Sequence, residues 1–345
     1  MRFLKQAFAL TLALALLLLS GCADPAARED ESASRSVFAM DTVMDVTAYG
    51  PNGEKAAVAA VNRITALEQA FSVTIDDSAI YAVNHAYGTP VTVSDDTAAL
   101  LSDALHFCML THGALDVSVY PVLKAWGFTT QEYRVPKTDE LQDLLARVDY
   151  AKVQCDGNTV TVPAGMEIDL GSVAKGYTGD QIMQIFRDRG VTSGMVSLGG
   201  NVQTLGSKPD GSPWRIAIQN PLGDGYVGVI EVNNEAVVTS GGYERYFEQD
   251  GEVYWHIIDP ATGAPAKNGV ISATIVSGSG TRCDALSTAL FILGADGAET
   301  YWRTHGDFDY LLVLEDGSIV VSQGIADRFT LADEWENQPL TVVTK

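Results

Sequence analysis

The chain has 345 residues, 46% hydrophobic and 19% charged, and its 22 basic and 44 acidic side chains leave a formal net charge of −22. That apolar fraction supports a sizeable core and excludes wholesale disorder. A pI near 4.4 argues against nucleic acid as a partner, because phosphate neutralisation needs a basic face, and against docking of the folded body on anionic lipid.

At the N-terminus, Arg2 and Lys5 precede an apolar run from Phe8 to Leu19 that only Thr11 interrupts. A spanning helix needs about 20 apolar residues, so this shorter run reads as the core of a signal peptide. Leu19-Ser20-Gly21-Cys22 then resembles a bacterial lipobox, with Cys22 acylated and first in the mature chain. An ordinary secretory signal with a chance cysteine is the plainer alternative. Loss of residues 1–21 removes Arg2 and Lys5 and leaves a charge of −24. Residues 22–36 are small, polar and charged, and read as a flexible tether between lipid and a folded domain over 37–345. Cys108, Cys155 and Cys283 lack metal-ligand spacing; one disulfide or three free thiols are both open.

Ser36 to Tyr49 reads as a strand, and Lys55 to Phe71 as a helix with Ala60, Ile64, Leu67 and Phe71 on one face. Ser94 suits the N-cap of a second helix that ends near Gly113, and Thr138 the cap of a short acidic one. Val153 to Val162 reads as a hairpin around Asp156-Gly157-Asn158. Extended segments follow at Met195–Leu198, Trp214–Gln219, Val227–Val232, Tyr254–Ile258 and Val270–Ser277. A helix from Asp284 closes at Gly294, and Tyr310 to Ser322 makes a last hairpin. Without a steady βαβ beat, the mixed order predicts an α+β fold in a single domain.

Four segments carry candidate chemistry. Glu167 to Tyr177 (EIDLGSVAKGY) reads as an apolar strand, a small-residue turn and a helix start, where backbone N–H groups and Lys175 can meet a phosphate. On spacing alone an ordinary strand–helix turn serves as well. Ser197-Leu198-Gly199-Gly200-Asn201 permits a tight turn or close backbone approach to a ligand. Thr239 to Phe247 leads into Trp255-His256-Ile257-Ile258-Asp259, where strand alternation sets His256 and Ile258 on one face. An imidazole there suits removal of a proton from a hydroxyl, although a lone strand histidine is more often structural. Asp284 and Thr288 share a helix face and offer the hard oxygens that Mg²⁺ prefers, or Asp284 is simply an acid at a helix N-terminus.

The order of these segments is more specific than any one of them. The lipobox is followed by Met40-Asp41-Thr42, Gly113 to Asp116 (GALD), Trp126 to Phe128 (WGF), IDLGSVAKGY, SLGGN, TSGGYERYF, HIIDPATG and CDALSTALFILG. This series resembles the ApbE family of FAD:protein FMN transferases over nearly the whole mature chain. The resemblance implies an extracytoplasmic, membrane-anchored enzyme that binds FAD with Mg²⁺, transfers FMN to a threonine or serine of an FMN-binding acceptor domain, and releases AMP. It places Met40, Ala114, Leu115, Asp116, Asp169, Lys175 and Ile271 at the FAD site. Asp284 and Thr288, with a backbone oxygen near Ser172 and the neighbouring Ser287, are implied to hold Mg²⁺, and His256 to be the base. After Phe71-Ser72 this chain has Val73 and Thr74, where some relatives place a tyrosine on the flavin ring, so Tyr243 and Tyr246 are the alternatives. No copy of the family's acceptor motif is present, which points to another protein as acceptor. FAD hydrolysis to FMN and AMP, or flavin binding without turnover, are the competing readings.

Overall fold

The computed structural model describes residues 31–345. The expected signal segment 1–21, the acylated Cys22 and the tether up to residue 30 lie outside the described residues. The described residues begin with strands β1 (Ser32–Ala39) and β2 (Thr42–Tyr49), then helices α1 (Gly53–Phe71) and α2 (Ala79–Asn84). Strand β3 (Val91–Thr92), helices α3 (Asp95–Leu110), α4 (Tyr120–Trp126) and α5 (Thr138–Leu145), and strands β4 (Gln154–Asp156) and β5 (Thr159–Thr161) follow. Helix α6 (Ala174–Asp188) precedes β6 (Gly194–Leu198), β7 (Asn201–Leu205), β8 (Trp214–Gln219), β9 (Tyr226–Val232), β10 (Ala236–Gly241), β11 (Tyr246–Gln249), β12 (Glu252–Trp255) and β13 (Val270–Ser277). The chain ends with α7 (Gly280–His305), β14 (Asp309–Leu314), β15 (Ile319–Ser322), α8 (Gln323–Ala326), β16 (Phe329–Leu331) and β17 (Leu340–Val343).

The architecture is the predicted α+β, a single domain built on a nine-stranded sheet in the order β1-β2-β6-β7-β10-β13-β14-β15-β17. Its pairings are antiparallel except β15 with β17. One face packs against α1 and α6, through Ala57, Ala60, Ile64, Ile182 and Phe186, and against α7 further along. The other face is covered by the three-stranded sheet β16-β9-β8, whose Trp214, Ile216, Ile230 and Val232 meet Val237, Val276, Leu311 and Val313. Strand β13 therefore has cover on both sides and is buried almost throughout, its Ser272, Thr274 and Ser277 included, whereas β8 alternates strictly between buried and exposed.

Several expectations change. Ser36 to Tyr49 is a hairpin rather than one strand, and its first arm begins at Ser32, inside the expected tether. The turn is Met40-Asp41, with φ of 49° and 60°. A two-residue turn of this left-handed kind normally announces itself by Asn-Gly or Gly-Gly, and neither is present. The serines and Arg35 of β1 follow from its place at the sheet edge, where most of its side chains face solvent. Met166 to Leu170, expected as a strand, joins no ladder; the Asn84 side chain bonds both main-chain groups of Ile168 at 2.8 Å, and Val117 accepts from the Asp169 N–H at 2.8 Å. Strand β12 stops at Trp255, so His256 stands just beyond it. Thr138 is the first helical residue and Lys137 its cap, without a side-chain bond. Gly294 does break α7, at φ 73° and ψ 178°, but a second helical stretch continues to His305. The three cysteines of the described residues are free.

Candidate active site

Between the β1–β2 turn, the end of α1, the starts of α6 and α7 and the turn after β10 lies a cavity of about 970 Å³. That is at the upper end of small-molecule sites and large enough for a dinucleotide. Met40, Asp169, Lys175, His256, Asp284 and Thr288 all line it, although they come from four separate segments. Ala114, Leu115, Asp116 and Ser172 line it as well.

The centre of the site is a reciprocal capping of two helices. Asp180 of α6 accepts from the N–H groups of Gly280 and Thr281, at 2.7 and 2.9 Å, and so caps α7. Asp284 of α7 accepts in return from the Gly176 N–H of α6 at 2.8 Å. Each carboxylate answers the unsatisfied donors and positive end of the other helix. Gln203 of β7 locks the pair by donating to the Gly176 carbonyl at 2.8 Å. The approach requires glycine: a Cβ on Gly176 would collide with the Gly280 carbonyl and come within 2.8 Å of the Asp284 Cβ. Because the Gly176 N–H is taken by Asp284, it leaves unclaimed the Ser172 carbonyl four residues earlier.

Asp284 is 5% exposed, and among the described residues no cation stands within ion-pair distance of it. Burial pushes its carboxyl above the usual range, against the pull of Lys175 and the Gly176 N–H. Asn201 faces it: the amide favours the charged carboxylate, yet neither amide atom of this 2% exposed residue makes a hydrogen bond. Thr288, one helical turn on from Asp284, has only a 3.4 Å contact with the Ser240 hydroxyl. A buried, uncompensated carboxylate beside an unengaged amide, a hydroxyl and a free carbonyl is a donor set suited to a hard divalent cation. No group of three or more His, Cys, Asp or Glu side chains among the described residues could hold a metal alone. Such an ion would need main-chain, hydroxyl or substrate oxygens. The cavity lining also carries six carboxylates against Lys175 and Arg245, so a bound polyanion would need added positive charge.

His256 is half-buried. Desolvation, then Arg245 and Lys175, lower its pKa to about 4, so the ring is neutral. Its Nδ1 lies 3.3 Å from the Arg245 carbonyl, which can only accept, and this assigns the proton to Nδ1 and a free lone pair to Nε2. The Phe128 ring packs edge-on against the imidazole, with centroids 6.3 Å apart.

Two expected residues are not brought to the cavity. Ile271 sits at a register shift of β13, turned toward the layer covered by β8 and β9. Ser287 is buried behind the site, donating to the Asp284 carbonyl at 2.9 Å and meeting the Ser240 hydroxyl at 2.8 Å. Asp116 lines the cavity, but Ser118 and the Tyr150 N–H occupy both its carboxylate oxygens. Tyr243 lines the cavity, as do Val73 and Thr74, whereas Tyr246 is exposed outside it. Sequence reasoning missed Glu68, which accepts from the Met40 N–H at 2.7 Å and holds the β1–β2 turn, and Asp180 and Gln203. Nothing local marks them, because their partners lie far off in the chain.

A family model described as the ApbE family matches residues 40–312. The FAD:protein FMN transferase of Treponema pallidum is 35% identical over 323 residues, covering 87% of this chain and 89% of that protein. The corresponding protein of Klebsiella pneumoniae is 34% identical, over 77% of this chain and 84% of its own length. Among solved structures, the ApbE protein of Thermotoga maritima superposes with a TM-score of 0.81 at 35% identity, covering 85% of this chain and 98% of that one. The flavin transferase ApbE of Vibrio cholerae gives a TM-score of 0.76 at 28% identity, covering 89% and 98%.

Proposed function

The chain belongs to the ApbE family, and from that premise we propose that it is an enzyme that moves the FMN half of FAD onto a protein hydroxyl. The observation that carries this reading is the meeting of Lys175, His256, Asp284 and Thr288 in one cavity that admits a dinucleotide. Lys175, at the start of α6, brings positive charge into the cavity for the pyrophosphate. Asp284, Thr288 and the Ser172 carbonyl would hold Mg²⁺. Bound there, Mg²⁺ would supply positive charge to the phosphate oxygens and to the departing AMP. Neutral His256 offers Nε2 to the proton of a threonine or serine hydroxyl. The hydroxyl oxygen forms a bond to the FMN phosphorus, the pyrophosphate bond breaks, AMP leaves with that electron pair, and the proton stays on the imidazole.

The test incubates the domain with FAD, Mg²⁺ and a purified acceptor domain that the Vibrio cholerae relative modifies in the same assay. A mass gain of one FMN matched by AMP is expected. AMP and free FMN without a mass gain would replace transfer by hydrolysis, and FAD bound without AMP would replace it by simple binding. Asp284→Ala is expected to abolish the Mg²⁺-dependent activity, and unchanged Mg²⁺ dependence would remove the metal assignment.

The lipobox extends the proposal to location: an extracytoplasmic enzyme anchored to the cell membrane through lipid on Cys22. Cys22→Ala should move the protein from the membrane to the soluble fraction, and a variant still sedimenting with membranes would refute the anchor.

A further inference from the structure

The cavity mouth can be located from its own residues. Asp41 and Arg245 both line the cavity, yet their side chains are 83% and 46% exposed, and they approach each other to 3.7 Å. They therefore mark two lips, the β1–β2 turn and the turn after β10. On the same hairpin, three residues before and two after Asp41, Phe38 and Val43 stand directly opposite each other across the strands. They are 70% and 56% exposed. Tyr246, next to Arg245 on the other lip, is 54% exposed.

Single exposed apolar residues are ordinary on any surface. A cross-strand Phe–Val pair is less so, because β1 is the edge of the nine-stranded sheet and an apolar edge invites unwanted pairing. The rest of β1 is guarded by Arg35 and three serines, and the guard lapses only beside the mouth. The layer that covers the sheet's other strands, β16-β9-β8, packs on β10, β13, β14 and β15, and its apolar cluster contains neither Phe38 nor Val43.

We propose that Phe38 and Val43, with Tyr246 on the facing lip, form the docking surface for the acceptor protein. The inference rests on the transfer reading above, and the chemistry names the occupant. A threonine or serine hydroxyl lies only two covalent bonds from its own main chain. An acceptor whose hydroxyl reaches the phosphate must therefore lay its backbone at the mouth and bury both lips. Exposed aromatic residues at such a place are the usual anchors of a protein interface. The partner that fits carries apolar side chains flanking its hydroxyl. Its fringe is neutral or basic, because Asp41 and Asp45 stand beside the pair on a chain of net charge −22.

The test compares wild type with Phe38→Thr/Val43→Thr, which keeps β-forming side chains on exposed positions. Leu340→Thr/Val342→Thr removes an apolar pair at the opposite sheet edge, 43% and 44% exposed, and serves as control. The acceptor domain of the preceding section is the probe. The expected result is at least about a tenfold rise in KM for the acceptor, with FAD affinity by fluorescence quenching within about twofold of wild type and the control unaffected. Transfer by the double variant at wild-type KM would overturn the proposal, as would an equal loss of FAD affinity, which would assign the pair to the FAD site. A photo-crosslinker at Val43 of the otherwise unaltered enzyme provides a second measurement that does not depend on the double variant folding. Capture of the acceptor is expected there, and capture only from Val342 would overturn the proposal. Wild type that leaves the acceptor unmodified while the Vibrio cholerae relative modifies it would overturn the transfer reading and this surface with it.

Discussion

His256 and Asp284 are perturbed in opposite senses by the same cause, removal from water. For His256 the folded pKa, about 4, lies below its ordinary 6.5. Its neutral form contributes stability that is complete above pH 6.5 and lost as pH falls from 6.5 to about 4. The base is already free at neutral pH, so the acid limb of kcat/KM should fall near pH 4 rather than 6.5. A pH–rate profile from 4 to 8 checks this, and a limb at 6.5 would mean the ring is hydrated in solution. His256→Asn should remove the limb and lower kcat by about 10²–10⁴. Asp284 runs the other way. Its raised pKa makes the ionised form a net cost above the unfolded value. Asp284→Asn keeps an oxygen for the Gly176 N–H, so the metal-free variant should melt a few degrees above wild type at pH 7, at about 1 kcal/mol per 4 °C or less. It should also lose Mg²⁺-dependent turnover, and a lower Tm without metal would contradict the account.

At the level of elements, the site depends on two helix starts held at backbone contact. Gly176→Ala should drive α6 from α7 and displace Asp284, and so reduce activity beyond what lost stability explains. Phe186→Ala is the contrasting case. This side chain is fully buried between α6 and the sheet, away from the cavity, and its loss should cost about 3–5 kcal/mol. Urea titration and turnover per folded molecule separate the two. Equal specific activity in both variants would show that the helix contact does not position the site.

For the whole molecule, charge is the main variable. At −22 overall, with carboxylates outnumbering bases in the cavity, the long-range field repels FAD while local N–H groups, Lys175 and added Mg²⁺ hold it. Salt screens the long-range part first, over about 10 Å at 0.1 M. The association rate of FAD at fixed saturating Mg²⁺ should therefore rise between 20 and 200 mM salt, on the order of a few-fold. Stopped-flow flavin quenching reads this directly, and a falling rate would mean that local cations dominate the approach.

The α+β class, most of the helices and inner strands, and the segments that carry Lys175, His256, Asp284 and Thr288 can be read from the amino-acid order alone. These are legible because apolar periodicity and turn residues are local signals. Asp284 and Thr288 share a face for the same reason: four residues make about one helical turn. That Asp284 caps α6 while Asp180 caps α7, that Gln203 pins both, and that Glu68 holds the Met40 turn emerges only in the assembled fold. Each of these bonds joins residues at least 27 positions apart, and no local pattern encodes a partner at that range. Tertiary packing also ended β12 before His256 and turned Ile271 and Ser287 away from the cavity. A register shift, a bulge or a shared hydroxyl sets which way a side chain points, and these arise only when strands and helices meet.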